Sequence, residues 1–114
     1  MAINIETTSQ EGVAVVVIQG EIDSATAPQV QNTLLPLVQQ HDTLVLDLAG
    51  VPYMSSAGLR TMLLLYRQAL THNGKLILTG VAEPIKDTMS ITGFLKFFVL
   101  CDTTAAALEG IKRS

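Results

Sequence analysis

Thr43–Leu48, which reads Thr-Leu-Val-Leu-Asp-Leu, is the stretch that decides the fold. A short run that is nearly all apolar is typical of a β-strand covered on both faces, as in a parallel sheet. After a break at Gly50-Val51-Pro52, the pattern becomes helical from about Ala57 to Thr71, and Asn73-Gly74 provides a helix stop. A buried strand followed by a long helix predicts one unit of an α/β domain.

The same alternation extends towards the start of the chain. Val13–Gln19 is predicted as a second buried strand, and Ile3–Thr7 as an antiparallel edge strand paired with it. The stretch Ala27–Val38 has apolar residues at helical spacing, with Ser24 or Thr26 as possible N-caps. Pro36 lies inside that pattern and predicts a kink or an early end of the helix, because proline removes a backbone donor.

The alternation also continues towards the end of the chain. Lys75–Thr79 is predicted as a third buried strand, a helix begins near Pro84, and Phe97–Leu100 is predicted as a short strand. Asp102 is the expected cap of a last helix. The order ββαβαβαβα predicts a single α/β domain spanning residues 1–114, a small and mostly parallel mixed sheet of four to five strands covered by about four helices.

Composition excludes several classes of protein. The chain is 48% hydrophobic and 15% charged, which is too apolar for disorder. Its longest apolar run, Val13–Ile18, is far shorter than the about 20 residues of a membrane span, and its start does not resemble a secretory signal. The net charge is −3 and the basic residues are scattered, so we expect no nucleic-acid or membrane partner and a cytoplasmic location. The single cysteine, Cys101, is expected to be a buried structural thiol.

Residue types that carry out catalysis are sparse. The only histidines are His41 and His72, far apart in the sequence, and Ser55 and Ser56 lack the glycine two residues before the serine that a nucleophile elbow requires. Glycine-rich phosphate-binding loops are absent from the sequence. These features predict a protein that is not an enzyme and has no cofactor or metal.

Three carboxylates leave two interpretations open. Glu21, Asp23 and Asp47 lie near the predicted ends of parallel strands and could together form an oxygen site of the kind that binds magnesium. They could equally serve as turn residues and backbone acceptors, which is the commoner use of such residues.

Ser55-Ser56-Ala57-Gly58 lies at a strand-to-helix corner, on the rim where open α/β sheets engage ligands and partners. A serine here can cap the helix, in which case Ser56→Ala would cost about 1 kcal/mol. A phosphoserine here would meet free backbone N–H groups and a favourable helix dipole. The residues alone do not decide between these roles.

A family resemblance adds to this interpretation. Gly20–Asp23, Leu44–Leu48 and Tyr53–Arg60 resemble the motifs of the STAS domain family of anti-sigma factor antagonists, and Lys75–Leu78 and Met89–Phe94 continue the match in order. The resemblance implies a partner-switching role. The unphosphorylated antagonist binds an anti-sigma factor with serine kinase activity and so frees a sigma factor or other effector. A metal-dependent serine phosphatase resets the phosphorylated form.

The resemblance also implies which residues act. Ser56, two residues before Gly58, matches the phosphorylated serine, with Ser55 as the alternative because well-known members have Asp there. The predicted partner-binding residues are Glu21, Asp23, Ser55, Gly58, Arg60, Leu64 and Arg67. On the helix, Leu59, Met62, Leu63, Tyr66 and Leu70 are expected on one side, opposite Arg60, Leu64 and Arg67. We expect a monomer when free. A STAS scaffold or ligand-sensing module that is never phosphorylated, and a small serine hydrolase, are the alternatives.

Overall fold

The computed structural model describes residues 3–113, so the ends of the predicted domain, Met1, Ala2 and Ser114, lie outside it. The described residues form five strands and four α-helices in the predicted order. They are β1 (Asn4–Gln10), β2 (Val13–Gln19), α1 (Ala27–Gln40), β3 (Thr43–Gly50), α2 (Ser56–Leu70), β4 (Lys75–Thr79), α3 (Glu83–Thr92), a short 3-10 turn (Leu95–Phe97), β5 (Val99–Cys101) and α4 (Thr104–Arg113). The α/β class and the strand-helix order are confirmed.

The sheet has the strand order β1-β2-β3-β4-β5, which is also the order along the chain. Only β1 is antiparallel, and it joins β2 through the two-residue turn Glu11-Gly12. Both turn residues have positive φ, 54° and 81°, as a tight hairpin turn requires. The remaining pairs are parallel, with Leu46 of β3 facing Val16 of β2 and Leu78 of β4.

The two faces of the sheet are covered unequally. On one face α1, α2 and α3 share the large core cluster, to which Leu34, Met62 and Met89 contribute fully buried side chains. On the other face, a smaller cluster joins Ala107 and Leu108 of α4 to the three central strands. The strand-to-helix corner at Ser55 and Ser56 leads into α2 and therefore lies on the side of the sheet that carries the larger core cluster.

Polar interactions at both ends of α4 also hold it on its face of the sheet. Its first residue, Thr104, donates a hydrogen bond from its hydroxyl to Asp47 Oδ2 at 3.2 Å and lies 2.9 Å from the buried Thr79 hydroxyl. Near its end, Lys112 forms an ion pair with Glu11 in the first hairpin turn. Since α4 buries few residues, these contacts at its two ends fix its direction across the sheet.

Pro36 does not end α1, so the predicted early end is wrong. The helix continues to Gln40, and the amide of His41 still bonds to the carbonyl of Leu37 at 3.1 Å. Pro36 and Asn32, one turn before it, are both exposed. The carbonyl that loses its donor therefore faces water, and the loss of one hydrogen bond is tolerated.

Other element ends differ by one to three residues from the prediction, the largest difference being that β1 ends at Gln10 and not Thr7. Helix α2 begins at Ser56 and not Ala57, and β5 begins at Val99 because Leu95–Phe97 form the 3-10 turn. Thr103, not Asp102, caps α4, since its hydroxyl accepts the amide of Ala106 at 3.0 Å. The predicted stop after α2 is confirmed: Asn73 has φ 61°, and the amide of Gly74 bonds to the carbonyl of Ala69 at 2.7 Å.

None of the helices within residues 3–113 is both long enough and apolar enough to span a membrane.

Candidate functional site

Two loops are joined at the carboxyl-terminal rim of the sheet. Ile22 donates its amide to the carbonyl of Tyr53 at 3.0 Å, and Ser55 donates its amide to the carbonyl of Ile22 at 2.8 Å. These bonds form an isolated parallel bridge between Ile22 and Met54, whose side chains are buried. As a result, Glu21 and Asp23 lie on the same rim as the two serines, the placement that the sequence predicted.

The two adjacent serines have different environments. Ser55 is the N-cap of α2, half-buried, and its Oγ accepts the amide of Gly58 at 3.5 Å, a long hydrogen bond. Ser56 is the first residue of the helix and is exposed. No hydrogen bond to its hydroxyl occurs within residues 3–113. The capping role, which the sequence left open, therefore belongs to Ser55, and the Ser56 hydroxyl is not engaged in the cap.

Asp23 organises the loop that precedes α1. Its Oδ1 accepts the amides of Ala25 at 2.9 Å and Thr26 at 3.1 Å. Thr26 holds the N-cap position of α1, but its hydroxyl donates to the carbonyl of Glu21 at 2.8 Å and does not cap the helix. Ser24 is exposed. Asp23, and not the predicted caps Ser24 or Thr26, is the residue whose side chain accepts backbone amides before α1.

Those hydrogen bonds favour the ionised form of the Asp23 carboxylate. The Thr26 amide has the largest effect and lowers the pKa of Asp23 below its usual value, with help from the Ala25 amide and against a smaller opposing effect of burial. Because the pKa is lowered by folding, the resulting stability is present above the ordinary pKa of 3.8 and is lost as the pH falls through the lower, folded-state pKa.

Gly58 is the point at which α2 approaches the Ile22 loop. A Cβ placed on Gly58 would lie 2.5 Å from Met54 Cγ and 2.9 Å from the carbonyl oxygen of Ile22. Gly58 is buried, so the direct partner contact predicted for it does not fit the structure. Its role is to allow the close approach that positions the serines.

A groove between α1 and α2 begins beside the serines. This α1–α2 groove has a volume of about 550 Å³, and it is lined by Ser24, Ala27, Pro28, Gln31 and Asn32 on one side and by Ala57, Arg60, Thr61 and Leu64 on the other. Arg60 is exposed and Leu64 half-buried, while the exposed Arg67 follows one turn later on the same face. The structure thus brings Arg60 and Leu64 together beside Ser56.

The groove contains residues that the sequence interpretation missed. The α1 side was not foreseen, although Ser24, Pro28 and Gln31 have the spacing of one helical face. Tyr53, directly before Met54, is 51% exposed at the same rim. The buried face of α2 differs from the predicted one. Leu59 and Met62 are buried as predicted, but Leu65 and Ala69 complete the face and Leu70 is 53% exposed.

Asp47 lies apart from the other two carboxylates. Its Oδ1 accepts the amide of Ala49 at 3.0 Å, and its Oδ2 accepts the Thr104 hydroxyl on the face covered by α4. Asp23 and Asp47 both accept hydrogen bonds from the backbone amides of nearby turns. This agrees with the interpretation of these carboxylates as turn residues and not as magnesium ligands. Within residues 3–113, no group of three or more His, Cys, Asp or Glu side chains could hold a metal ion.

The match to a known family covers nearly all of this architecture. The model of the STAS domain family matches residues 4–107, which include every element from β1 to β5 and the first turn of α4. The chain is a STAS domain. The family resemblance drawn from the motifs is therefore confirmed.

Several similar proteins carry a functional name. The chain is 38% identical over 96 residues to an anti-sigma-B factor antagonist of Staphylococcus epidermidis, covering 82% of this chain and 87% of that one. It is 33% identical over 93 residues to the anti-sigma-B factor antagonist of Bacillus subtilis strain 168, covering 82% and 85%. The crystal structure of an anti-sigma factor antagonist from Mycobacterium paratuberculosis superposes with a TM-score of 0.86 at 28% identity, covering 97% of this chain and 95% of that one.

The packing role of Gly58 predicts opposite effects for one substitution at two helical glycines. Gly58→Ala should lower the free energy of unfolding by about 1–2 kcal/mol, because overpacking against the Ile22 backbone outweighs the gain in helix propensity. Gly110→Ala, where a Cβ meets nothing within 4 Å, should raise it by about 0.5–1 kcal/mol. Urea unfolding measures both, and stabilisation by Gly58→Ala would contradict the packing role.

The different environments of the serines predict different effects on stability. Ser55→Ala should lower the free energy of unfolding by about 0.5–1 kcal/mol, the low end of the range for N-caps because its hydrogen bond is long. Ser56→Ala should change it by less than about 0.3 kcal/mol, since alanine is a good residue within a helix. Thermal unfolding of both variants beside the wild type gives the comparison. A larger loss for Ser56→Ala would assign the cap to Ser56.

Proposed function

We propose that this protein is an anti-sigma factor antagonist that acts by partner switching. In its unphosphorylated form it binds an anti-sigma factor with serine kinase activity and so releases a sigma factor or other effector in the cytoplasm. Phosphorylation of Ser56 ends that binding, and a metal-dependent serine phosphatase restores it. The observation that carries the proposal is the exposed, unengaged Ser56 hydroxyl at the start of α2, beside the α1–α2 groove. The names of the similar proteins support the same function.

The choice of Ser56 over Ser55 follows from accessibility. A kinase must reach the hydroxyl oxygen and remove its proton, so an exposed hydroxyl without a hydrogen-bond partner is the better acceptor. Ser55 is half-buried and its oxygen faces the Gly58 amide, so phosphorylating it would require breaking the cap. Ser56 can accept phosphate while the helix stays intact.

The partner surface in this proposal combines the groove with the rim. Leu64 supplies an apolar anchor in the groove, and the exposed Arg60 and Arg67 lie on either side of it. Central apolar anchors with arginines nearby are common where a few residues supply most of the binding energy. At the rim, Glu21, Asp23 and the exposed Tyr53 extend this surface past the serines. The Asp23 carboxylate has its Oδ1 engaged in the loop, and its charge remains available to attract a cationic group of the kinase.

The proposed switch is electrostatic and local. A phosphate on Ser56 adds about 1.5 to 2 negative charges at the positive end of α2, where anions are favoured by about 0.3–1 kcal/mol. Arg60 lies one turn along the helix from Ser56, at the i,i+4 spacing that brings opposite charges together. Phosphorylation therefore requires no refolding, and it also draws Arg60 away from the partner surface.

The loss of binding arises at the interface. A phosphate about 5 Å from a partner carboxylate, at an effective dielectric constant near 20, is repelled by roughly 3 kcal/mol per charge. That repulsion alone corresponds to about a hundredfold loss of affinity. The free protein is proposed to be a monomer, which leaves the groove open for the kinase.

Phosphosite mapping after incubation with ATP and the cognate anti-sigma factor kinase tests the acceptor. We expect Ser56→Ala to lose all labelling yet bind the kinase normally, and Ser55→Ala to be labelled as the wild type is. Ser56→Asp carries one charge on a shorter arm and should lose only about tenfold in affinity, against at least about a hundredfold for the phosphorylated protein. Labelling that survives Ser56→Ala and disappears in Ser55→Ala would move the site by one residue. A wild type that binds the kinase and is never labelled would instead be an unswitched STAS scaffold.

The docking surface is tested with two substitutions that leave the acceptor in place. Leu64→Asp should weaken kinase binding at least tenfold, because it puts a charge in the apolar part of the groove. Leu70→Asp, on the same helix but outside the groove, is its control. Asp23→Asn keeps an oxygen acceptor for the Ala25 and Thr26 amides, so it should slow Ser56 phosphorylation more than it lowers the melting temperature. Normal kinase binding by a folded Leu64→Asp variant would rule out the groove.

A further inference from the structure

A second cavity lies at the opposite end of α2 from Ser56. This β5 cleft has a volume of about 500 Å³, within the range of small-molecule sites. It is lined by Thr43, Tyr66, Leu70, Gly74, Lys75, Leu76, Ile77, Phe97, Val99, Cys101, Ala107, Gly110 and Ile111. Ser56 and Leu70 are the two ends of α2, about 21 Å apart at the rise of an α-helix. The cleft is therefore separate from the phosphorylation site.

The cleft exists because the sheet is incomplete at this edge. Strand β5 pairs with β4 only from Val99 opposite Ile77 onwards. The residues that would extend it, Leu95–Phe97, form the 3-10 turn instead. Lys75 and Leu76 consequently have no strand beside them on the β5 side, and the space is open between the ends of α2 and α4.

The walls of the cleft are apolar and aromatic. The rings of Tyr66 and Phe97 lie 5.7 Å apart and form one side. Leu70 and Val99 are 53% and 54% exposed, and both line this one cleft. An occupant with an apolar chain would remove this surface from water, which favours binding.

Lys75 is the one charged residue among those that line the cleft. It lies at the exposed start of β4. The ion pairs of Glu83 and Glu11 are made with Lys86 and Lys112 and not with Lys75. A single cation at the rim of an apolar cleft is complementary to a ligand with one anionic group and an apolar chain.

We propose that the β5 cleft binds a fatty-acid-like amphipathic carboxylate. The alkyl chain packs against Tyr66, Leu70 and Phe97, and the carboxylate pairs with the Lys75 ammonium. A peptide strand is a poorer fit, because β5 offers only three residues for main-chain pairing. The proposal is independent of the kinase partner, since the rim with Ser56 stays accessible when the cleft is filled.

Cys101 provides a direct probe of occupancy. It is the only cysteine of the chain, it lines the cleft, and it is half-buried and free, more accessible than the buried thiol expected from the sequence. An alkyl chain in the cleft should cover its thiol. The rate of its modification by a small maleimide then reports binding at this site and not elsewhere on the surface.

The experiment titrates dodecanoate, below its micelle concentration, into the folded full chain and measures heat of binding and the Cys101 modification rate. The wild type should bind saturably with one site and show at least a tenfold slower modification at saturation. Lys75→Gln should weaken binding at least fivefold, and its matched control Lys86→Gln, with the same charge change on α3, should not. Gly110→Leu places a side chain in open space at the cleft wall and should abolish protection of Cys101.

Several results would overturn the proposal. They are an absence of saturable binding to the wild type, unprotected Cys101 at saturation, or equal effects of Lys75→Gln and Lys86→Gln. Sedimentation that shows a dimer dissociated by Leu70→Asp would show that the cleft is covered by a second copy of the chain. Because Lys75→Gln changes an exposed residue, the test stands even if Gly110→Leu fails to fold.

Discussion

The close approach of α2 to the Ile22 loop is the contact on which the functional rim depends. Two backbone hydrogen bonds join Ile22 to Tyr53 and Ser55, and Gly58 alone leaves room for the Ile22 carbonyl beneath the helix. This contact sets where α2 starts, and the start of α2 decides which serine caps and which faces solvent. Asp23, one residue beyond Ile22, is held on the same rim. One packed glycine therefore aligns Ser56, the proposed acceptor, with the Ser55 cap and the neighbouring acidic loop.

The sequence predicted those features that depend on regular patterns of apolar residues, which extend over a whole strand or helix. The buried strands and amphipathic helices were predicted because runs such as Thr43–Leu48 and Lys75–Thr79 are unambiguous. The same pattern placed Ser55 and Ser56 at the corner where α2 begins. It could not choose between Ser55 and Ser56 as the cap, because helix starts are uncertain by one or two residues and both residues favour caps. The predicted early end of α1 at Pro36 was wrong, because the effect of a proline depends on whether the carbonyl one turn earlier can reach water. The α1 side of the groove required knowing how two helices pack, which is not a local property of sequence.

Helix α2 has two ends with different chemistry. At its start, polar groups and backbone amides face the rim, while at its end Tyr66 and Leu70 border an apolar cleft. The buried face between them, with Met62 and Leu65 fully inaccessible to solvent, is part of the main core. A helix anchored so firmly along its middle keeps both ends in fixed positions. The α1–α2 groove and the β5 cleft thus lie at opposite ends of one rigidly packed helix.

The strand order also has a consequence for how the chain assembles during synthesis. Because the strands lie side by side in the order in which they leave the ribosome, each new strand finds its pairing neighbour already made. Such sequential pairing keeps contact order low for a mostly parallel sheet and favours fast folding with little exposure of unpaired edges. The exception is α4, which completes the small cluster over Val15 and Val45 only after all five strands have been made. Until α4 is made, the apolar residues Val15, Val45 and Ile77 on the second face of the sheet lack the helix that buries them.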